Sequence, residues 1–487
     1  MNDSRFIWMQ HFSTDRSRIT IIIPKETTAS GLLALKELWK DKMYPTVVEA
    51  EQCCYPFTPL SENDIEKLEC DTIVYLIQSR ESSKAIKRKL ISKSQHAIAE
   101  YSVFPNWKNP RWFIPEWRSL LPGCMSRMIQ PSTLIARTAV IVLRVLKAIQ
   151  RPHLVFPCRL IVAYKNKKPD RSIINFFQNQ KDRITTGVIY AGSYGPLQKF
   201  TVELFRDNES PFGYAKFGHN EYTKQAILNE QTILKRLAKL SLKRMKTPIL
   251  MQIKHPEILD KQILTVETLE GGNPINRVTD PLIHGLVELY IATEKNDGIS
   301  LKSYITNQSK SLIEIDCTCL HGDYNKIRDN VVVILEGLLS HTSESIMLPL
   351  ALSHGDFTRW NVRADKKTIY VIDWEEAAMR PPGHDLLYFL LAEYILAAQN
   401  TPEKCAKLIN QEIMHGLLVR FLTMINGKDK TNARQLGILF FVSTIISTVW
   451  HAERHIKMGY PVKKNLFEII NMAYLSVQHL VGDSNFD

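Results

Sequence analysis

Glycine is scarce at the start of this sequence. Of 487 residues 20 are glycine, none lies before Gly31, and the first 170 residues contain no G-x-G-x-x-G. A nucleotide-binding βα turn needs such glycines to bring backbone N–H groups onto a phosphate, so none is expected there. The eight cysteines form no C-x-x-C pair, and Cys317-x-Cys319 alone lacks the second half of a zinc site. Free thiols fit a reducing, cytosolic compartment. No sustained apolar run follows Met1-Asn2-Asp3-Ser4-Arg5, so no signal peptide is expected. The most apolar stretch, Leu436 to Trp450, is interrupted by Gly437, Ser443, Thr444, Ser447 and Thr448. It falls short of a bilayer span and predicts a buried helix. Internal repeats and long low-complexity tracts are absent too. Charge forms no single block: the net +12 is spread along the chain. That balance suits a polyanion such as a nucleotide or an anionic membrane surface, and nucleic acid is not expected as a partner.

What is present is the composition of an ordinary soluble protein, 45% hydrophobic and 23% charged, long enough for two or three domains. Residues 1–170 read as an α/β unit. Strands are expected at Ile19 to Ile23, Thr72 to Ile77 and Leu154 to Tyr164, and a helix at Ser30 to Trp39. Phe104 to Pro115 reads as an aromatic, proline-rich loop that seals a core. Thr133 to Arg151 predicts a helix with Arg137, Arg144, Lys147 and Arg151 on one face. Its default is the solvated face of a packed helix; its alternative is peripheral contact with an anionic membrane. The charged, proline-bearing segment Lys165 to Arg171 is the expected linker. Beyond it, alternation predicts strands at Phe200 to Leu204, Gly213 to Phe217 and Ile263 to Thr268, with a helix over Thr223 to Leu240. From about Asp280 onward the pattern is mainly helical. The order gives a β-rich part at 171–270 and a helical part at 271–487.

The chemistry concentrates between Leu352 and Trp374. Asp356 is followed five residues later by Asn361, and Asp373 comes twelve residues after that. His-x-Asp-x4-Asn is the spacing of a kinase catalytic loop, in which the Asp takes the proton of an acceptor hydroxyl and the Asn binds Mg2+. A hairpin turning at Ala364-Asp365-Lys366-Lys367, with Thr368 to Ile372 as its second strand, would deliver Asp373 beside Asn361. Two oxygen ligands could then share one hard cation. Upstream, Gly192-Ser193-Tyr194-Gly195 forms a turn where backbone N–H groups could approach a phosphate. Lys216 follows on a strand, where the bland reading is an outward lysine on a sheet edge. Glu230 lies fourteen residues on, in the helix, and could pair with Lys216. A second His-Gly-Asp, at His321-Gly322-Asp323, lacks the right Asn offset and reads as a loop.

Those motifs carry a resemblance. Residues 185–480 resemble the aminoglycoside phosphotransferase and choline kinase group of the protein-kinase-like fold, through L-S-H-G-D-F-T-R-W-N (352–361), Y-V-I-D-W-E (370–375) and P-P-G-H-D-L-L-Y-F-L (381–390). The resemblance implies an α+β, bilobal fold with a small β-rich N-lobe and a helical C-lobe, preceded by a separate α/β N-terminal domain. It implies ATP and Mg2+ as cofactors and a small-molecule hydroxyl as acceptor. Asp356 would be the catalytic base, and Asn361 and Asp373 the metal ligands. Gly192, Ser193, Gly195, Lys216 and Glu230 would hold the nucleotide, and Glu267 to Leu269 would be the hinge whose backbone meets adenine. His354 would brace the loop and Asp385 would hold it from the following helix. Two departures stand: the glycine turn is short of glycines, and Tyr214 replaces a small residue two before the lysine. Segments 99–112 and 154–165 are faintly similar to methyltransferase-like domains of bacterial glycan-assembly proteins; without a glycine-rich loop no methyl transfer is predicted. The alternative to a kinase is a pseudokinase or nucleotide-sensing scaffold in cell-envelope glycan synthesis.

Overall fold

The computed structural model describes residues 19–23, 46–49, 72–77, 97–104, 111–115, 158–164, 186–192, 199–206, 210–218, 220–251, 262–314, 323–343, 345–397, 400–425, 433–457 and 464–482, with the single positions 138, 141, 142, 145, 197 and 462. By contacts the chain divides into two units, residues 1–227 with 250–268, and residues 228–249 with 269–487. The expected helix at Ser30 to Trp39 lies outside the described residues.

The first unit is built on one ten-stranded sheet. Its strands are β1 (Ile19–Ile23), β2 (Thr46–Glu49), β3 (Thr72–Ile77), β4 (Ala97–Phe104), β5 (Trp112–Pro115), β6 (Cys158–Tyr164), β7 (Thr186–Tyr190), β8 (Phe200–Phe205), β9 (Pro211–Gly218) and β10 (Gln262–Glu267). They are ordered β10-β9-β8-β7-β5-β4-β6-β3-β1-β2. Only the β1–β2 and β1–β3 pairs are parallel. The apolar run of β6 needs cover on both faces, and Leu160, Ile161 and Val162 are fully buried. Beside them Arg159 is buried too, 4.0 Å from the buried Glu100 and hydrogen-bonded to Ser102.

Two expectations change here. Trp112 to Pro115 belongs to a strand rather than to a loop, and Trp112 stacks on Tyr190 with ring centroids 5.4 Å apart. That pairing of β5 with β7 carries the sheet past the boundary expected at residue 170. Lys216 is not on an edge either, because β9 pairs with β8 at Thr201 and with β10 at Leu264. Alternation buries Gly213, Ala215 and Phe217 on one face of β9 and sends Tyr214 and Lys216 to the other.

The second unit is mainly helical: α1 (Glu221–Leu237, entering from the first unit), α2 (Asp280–Thr293), α3 (Leu301–Glu314), α4 (Asp323–Ser340), α5 (His384–Leu391), α6 (Pro402–Met414), α7 (Leu417–Ile425), α8 (Ala433–Lys457) and α9 (Lys464–Gly482). Asp323, Tyr324 and Asn325 form the first turn of α4 rather than a loop. Helix α8 is long and apolar enough to cross a membrane by length and composition. It is also largely buried, with Phe441, Val442, Ile445 and Val449 in the core, as befits the expected core helix. Strands β11 (Lys295–Ser300), β12 (Met347–Ser353) and β15 (Ala378–Arg380) form a small antiparallel sheet. The expected hairpin is β13 (Val362–Ala364) and β14 (Ile369–Val371). The Asp365 carboxylate makes its turn by accepting from Lys367 N and Thr368 N, both at 2.8 Å.

Candidate active site

Strand β12 ends at Ser353, and the chain turns through His354, Gly355 and Asp356. Gly355 has φ +86, and a Cβ on it would lie 2.1 Å from Arg380 Nη1 and 2.3 Å from the Glu376 carbonyl oxygen. No side chain fits, so the second residue of His-Gly-Asp must be glycine here. The turn is anchored from α5. The buried Asp385 carboxylate accepts from Ser353 Oγ at 2.6 Å, His354 N at 2.7 Å and Gly355 N at 3.0 Å. Burial by itself would raise the Asp385 pKa, but its hydrogen bonds and neighbours hold it well below the ordinary carboxylate range.

His354 is fully buried and neutral. Its Nε2–H donates to the Ile372 carbonyl oxygen at 2.9 Å, while Nδ1 accepts from Asp356 N at 3.2 Å. Those two backbone partners fix the tautomer. Burial pushes its pKa down, against the pull of Asp385 and the Ile372 bond. The ring meets Trp374 edge-on at 4.8 Å. One imidazole therefore ties the Asp356 turn to the strand that leads to Asp373.

Asp356 and Asn361 meet as their spacing predicts. Asn361 Nδ2 donates to Asp356 Oδ2 at 2.9 Å and to the Asp356 carbonyl oxygen at 3.0 Å. The Asn361 carbonyl oxygen accepts from Ile372 N at 3.0 Å, which sets the hairpin's exit against the loop. Asp373 follows in the left-handed region at φ 69 and is the one non-glycine residue there among those described. Such a backbone persists only when its surroundings hold it, and it is common where a side chain must be aimed.

Carboxylate oxygens of Glu230, Asp373 and Glu375 all lie within 4.8 Å of one another. Three carboxylates so close repel unless a cation or protons lie among them. Asn361 spends its Nδ2 on Asp356 and keeps its amide oxygen as an acceptor. The local donors are all oxygens, the set that Mg2+ takes, so these residues fit that ion.

The residues expected to hold the nucleotide divide between the two units. Gly192, with φ +65, follows β7, and Lys216 and Glu267 stand on β9 and β10, all in the first unit. Ser193 and Gly195 lie outside the described residues. Leu269 begins the later segment of the second unit, so the expected hinge, Glu267 to Leu269, spans the chain's division after Thr268. Glu230 belongs to the second unit, where it is buried and accepts from Trp374 N at 3.3 Å.

Three residues went unread in the sequence. The buried Tyr388 hydroxyl stands near Asp356: burial first, then the Asp356 and Glu376 charges, raise its pKa. Arg359, between Asp356 and Asn361, pairs with Glu393 at 3.1 Å in the π-helical turn that extends α5. Asn229, beside Glu230 on α1, donates to the carbonyl oxygens of Glu375 and Ala377. Tyr388 alone carried a signal: it falls one helical turn beyond Asp385 in a run already singled out.

Residues 319–405, which contain the whole Asp356 to Asp385 segment, match the sequence model of the phosphotransferase enzyme family. The choline kinase LicA from Streptococcus pneumoniae is 17% identical, over 64% of this chain and 98% of that one, with a TM-score of 0.42. A choline kinase from Cryptosporidium parvum is 14% identical, over 64% and 95%, with a TM-score of 0.39. The GDP complex of an aminoglycoside 2'-phosphotransferase-IIIa variant is 12% identical, over 64% and 96%, with a TM-score of 0.40. No curated protein matches the chain.

Proposed function

We propose that the chain is a phosphotransferase that moves the γ-phosphoryl group of ATP to a hydroxyl of a small molecule, such as a sugar, an amino alcohol or a glycan precursor. The observation that carries this reading is the Asp356 carboxylate, fixed by Asn361 Nδ2 at 2.9 Å on a loop that Asp385 anchors through three hydrogen bonds. A base must be held in place before the acceptor arrives, because most of the work in this chemistry is positioning. The family match over the same residues supports the reaction class.

In this mechanism Asp356 orients the acceptor hydroxyl and accepts its proton as the oxygen attacks the γ-phosphorus, whose bond to the bridging oxygen breaks to release ADP. Asn361 keeps the carboxylate aimed, with the Tyr388 hydroxyl beside it. Asp373 and Asn361 would hold Mg2+, which would neutralise charge on the phosphates as it develops. Gly192, Ser193, Gly195, Lys216, Glu267 and Leu269 are our candidates for holding the nucleotide.

The test is transfer from γ-labelled ATP with Mg2+ across a panel of sugars, amino alcohols and glycan precursors. Label is expected in an acid-stable ester of one acceptor class. Asp356→Asn should still bind nucleotide yet transfer nothing, and near-normal transfer in that variant would sink the assignment.

A further inference from the structure

We propose that Asn229 is a positioning residue for the metal site: together with Glu230 it clamps the backbone after Asp373 and so aims the Asp373 carboxylate. The inference rests on the reading of Asp373 as a Mg2+ ligand. The Asn229 amide donates to the Glu375 carbonyl oxygen at 2.7 Å and to the Ala377 carbonyl oxygen at 3.0 Å. Its neighbour Glu230 accepts from Trp374 N at 3.3 Å. Two consecutive residues of α1 thus serve three backbone groups in the four residues that follow Asp373. They reach that turn from 144 to 148 positions away in the chain.

The turn has reason to need such a grip. Asp373 sits at φ 69, ψ 58, a conformation disfavoured for a residue with a side chain. Its carboxylate stands within 4.8 Å of those of Glu230 and Glu375, so the turn must hold like-charged groups close together. Within the turn itself a single backbone bond, Ala377 N to the Trp374 carbonyl oxygen at 3.2 Å, closes the geometry. Asparagine suits the position because one amide supplies two N–H donors to two carbonyls. Aspartate would present acceptors to acceptors, and leucine would present nothing. A ligand held in its bound geometry by neighbouring hydrogen bonds binds its ion more tightly than one that must be ordered first.

The experiment measures Mn2+ affinity by electron paramagnetic resonance of the free ion, with the full chain and the non-hydrolysable ATP analogue AMP-PNP. Each lost hydrogen bond is worth about fivefold, so Asn229→Leu should weaken Mn2+ between roughly fivefold and thirtyfold. Asn229→Gln, which keeps both donors, should recover most of that loss. Melting of each variant in EDTA separates the two roles, since a merely structural contact lowers the melting temperature and leaves Mn2+ affinity alone. Mn2+ affinity within twofold of wild type in Asn229→Leu overturns the clamp while leaving the metal site standing. If wild type itself takes up no Mn2+, the clamp and the metal reading fall together. Should Asn229→Leu not fold, Asn229→Ser and Asn229→Gln make the same comparison, with the loss expected for Ser only.

Discussion

Replacing Asp385 by alanine removes the carboxylate that anchors the turn from Ser353 to Gly355. Its carboxylate takes three hydrogen bonds, from Ser353 Oγ at 2.6 Å, His354 N at 2.7 Å and Gly355 N at 3.0 Å, and the residue is 5% exposed. The Ser353 hydroxyl can rotate toward another partner, but the two backbone N–H groups cannot. A buried donor left without an acceptor costs about 1–3 kcal/mol, and bonds to a charged acceptor lie at the upper end. The loss for Asp385→Ala is therefore roughly 3–5 kcal/mol, a large share of the ~5–15 kcal/mol that holds a typical domain folded. Urea unfolding followed by tryptophan fluorescence reads it, since the fully buried Trp374 packs against His354 in the same unit. With a slope of about 2 kcal/mol per molar urea, the midpoint should fall by roughly 1.5–2.5 M at unchanged slope. Asp385→Asn keeps the volume and one acceptor oxygen, and should lose about half as much. A loss under ~1 kcal/mol for Asp385→Ala in the same urea curves would refute the idea that this carboxylate carries the turn.

Other outcomes follow from the same geometry. Burial, with the nearby Arg380 charge, pushes the His384 pKa down to about 4, so the folded protein holds this ring neutral. The unfolded chain takes up the proton from its ordinary value of about 6.5 downward. His384 therefore contributes no pH dependence above that value, and stability declines as pH falls from about 6.5 to about 4, by roughly 3 kcal/mol. Asp385 acts in a lower window, because a depressed carboxylate keeps its contribution until the pH falls below the unfolded value near 4. His384→Gln should flatten the upper window in urea midpoints taken across pH and leave the lower one. Gly355→Ala forces a Cβ to within 2.3 Å of a backbone oxygen at φ +86. It should destabilise by about 2 kcal/mol or more and reduce transfer sharply, as denaturation and rate assays would show. Tyr388→Phe removes the hydroxyl that stands near Asp356. It should lower kcat about tenfold while nucleotide affinity stays near wild type, and an unchanged kcat would remove Tyr388 from the mechanism.

What could be read from sequence was local. The offsets that bring Asp356 to Asn361 and the hairpin to Asp373 are set within a few residues by turn chemistry, as Asp365 shows by making its own turn. Strand periodicity likewise placed Ile19–Ile23 and Thr72–Ile77 where they are found. Contacts made across the chain were not legible. Nothing near Asn229 says that its amide serves two carbonyls 146 and 148 residues away. Glu230 was legible as a candidate partner for Lys216 because both belong to a familiar order; its bond to Trp374 N, which comes from how α1 packs, was not legible. The strand at Trp112–Pro115 was hidden by the prolines and aromatics before it, which signal a loop until a partner strand is known. Whether Lys216 stands on an edge or inside the sheet was open for a similar reason: one sequence cannot say how many neighbours a strand will have.

The central claim is that Asp356 is the base of a phosphoryl transfer, and single-turnover transfer from γ-labelled ATP tests it most directly. With Mg2+ and an acceptor that wild type phosphorylates, Asp356→Asn should bind nucleotide as wild type does. Its transfer rate should fall by two or more orders of magnitude, about the share assigned to a positioned base. Transfer by Asp356→Asn at a rate close to wild type would contradict the account.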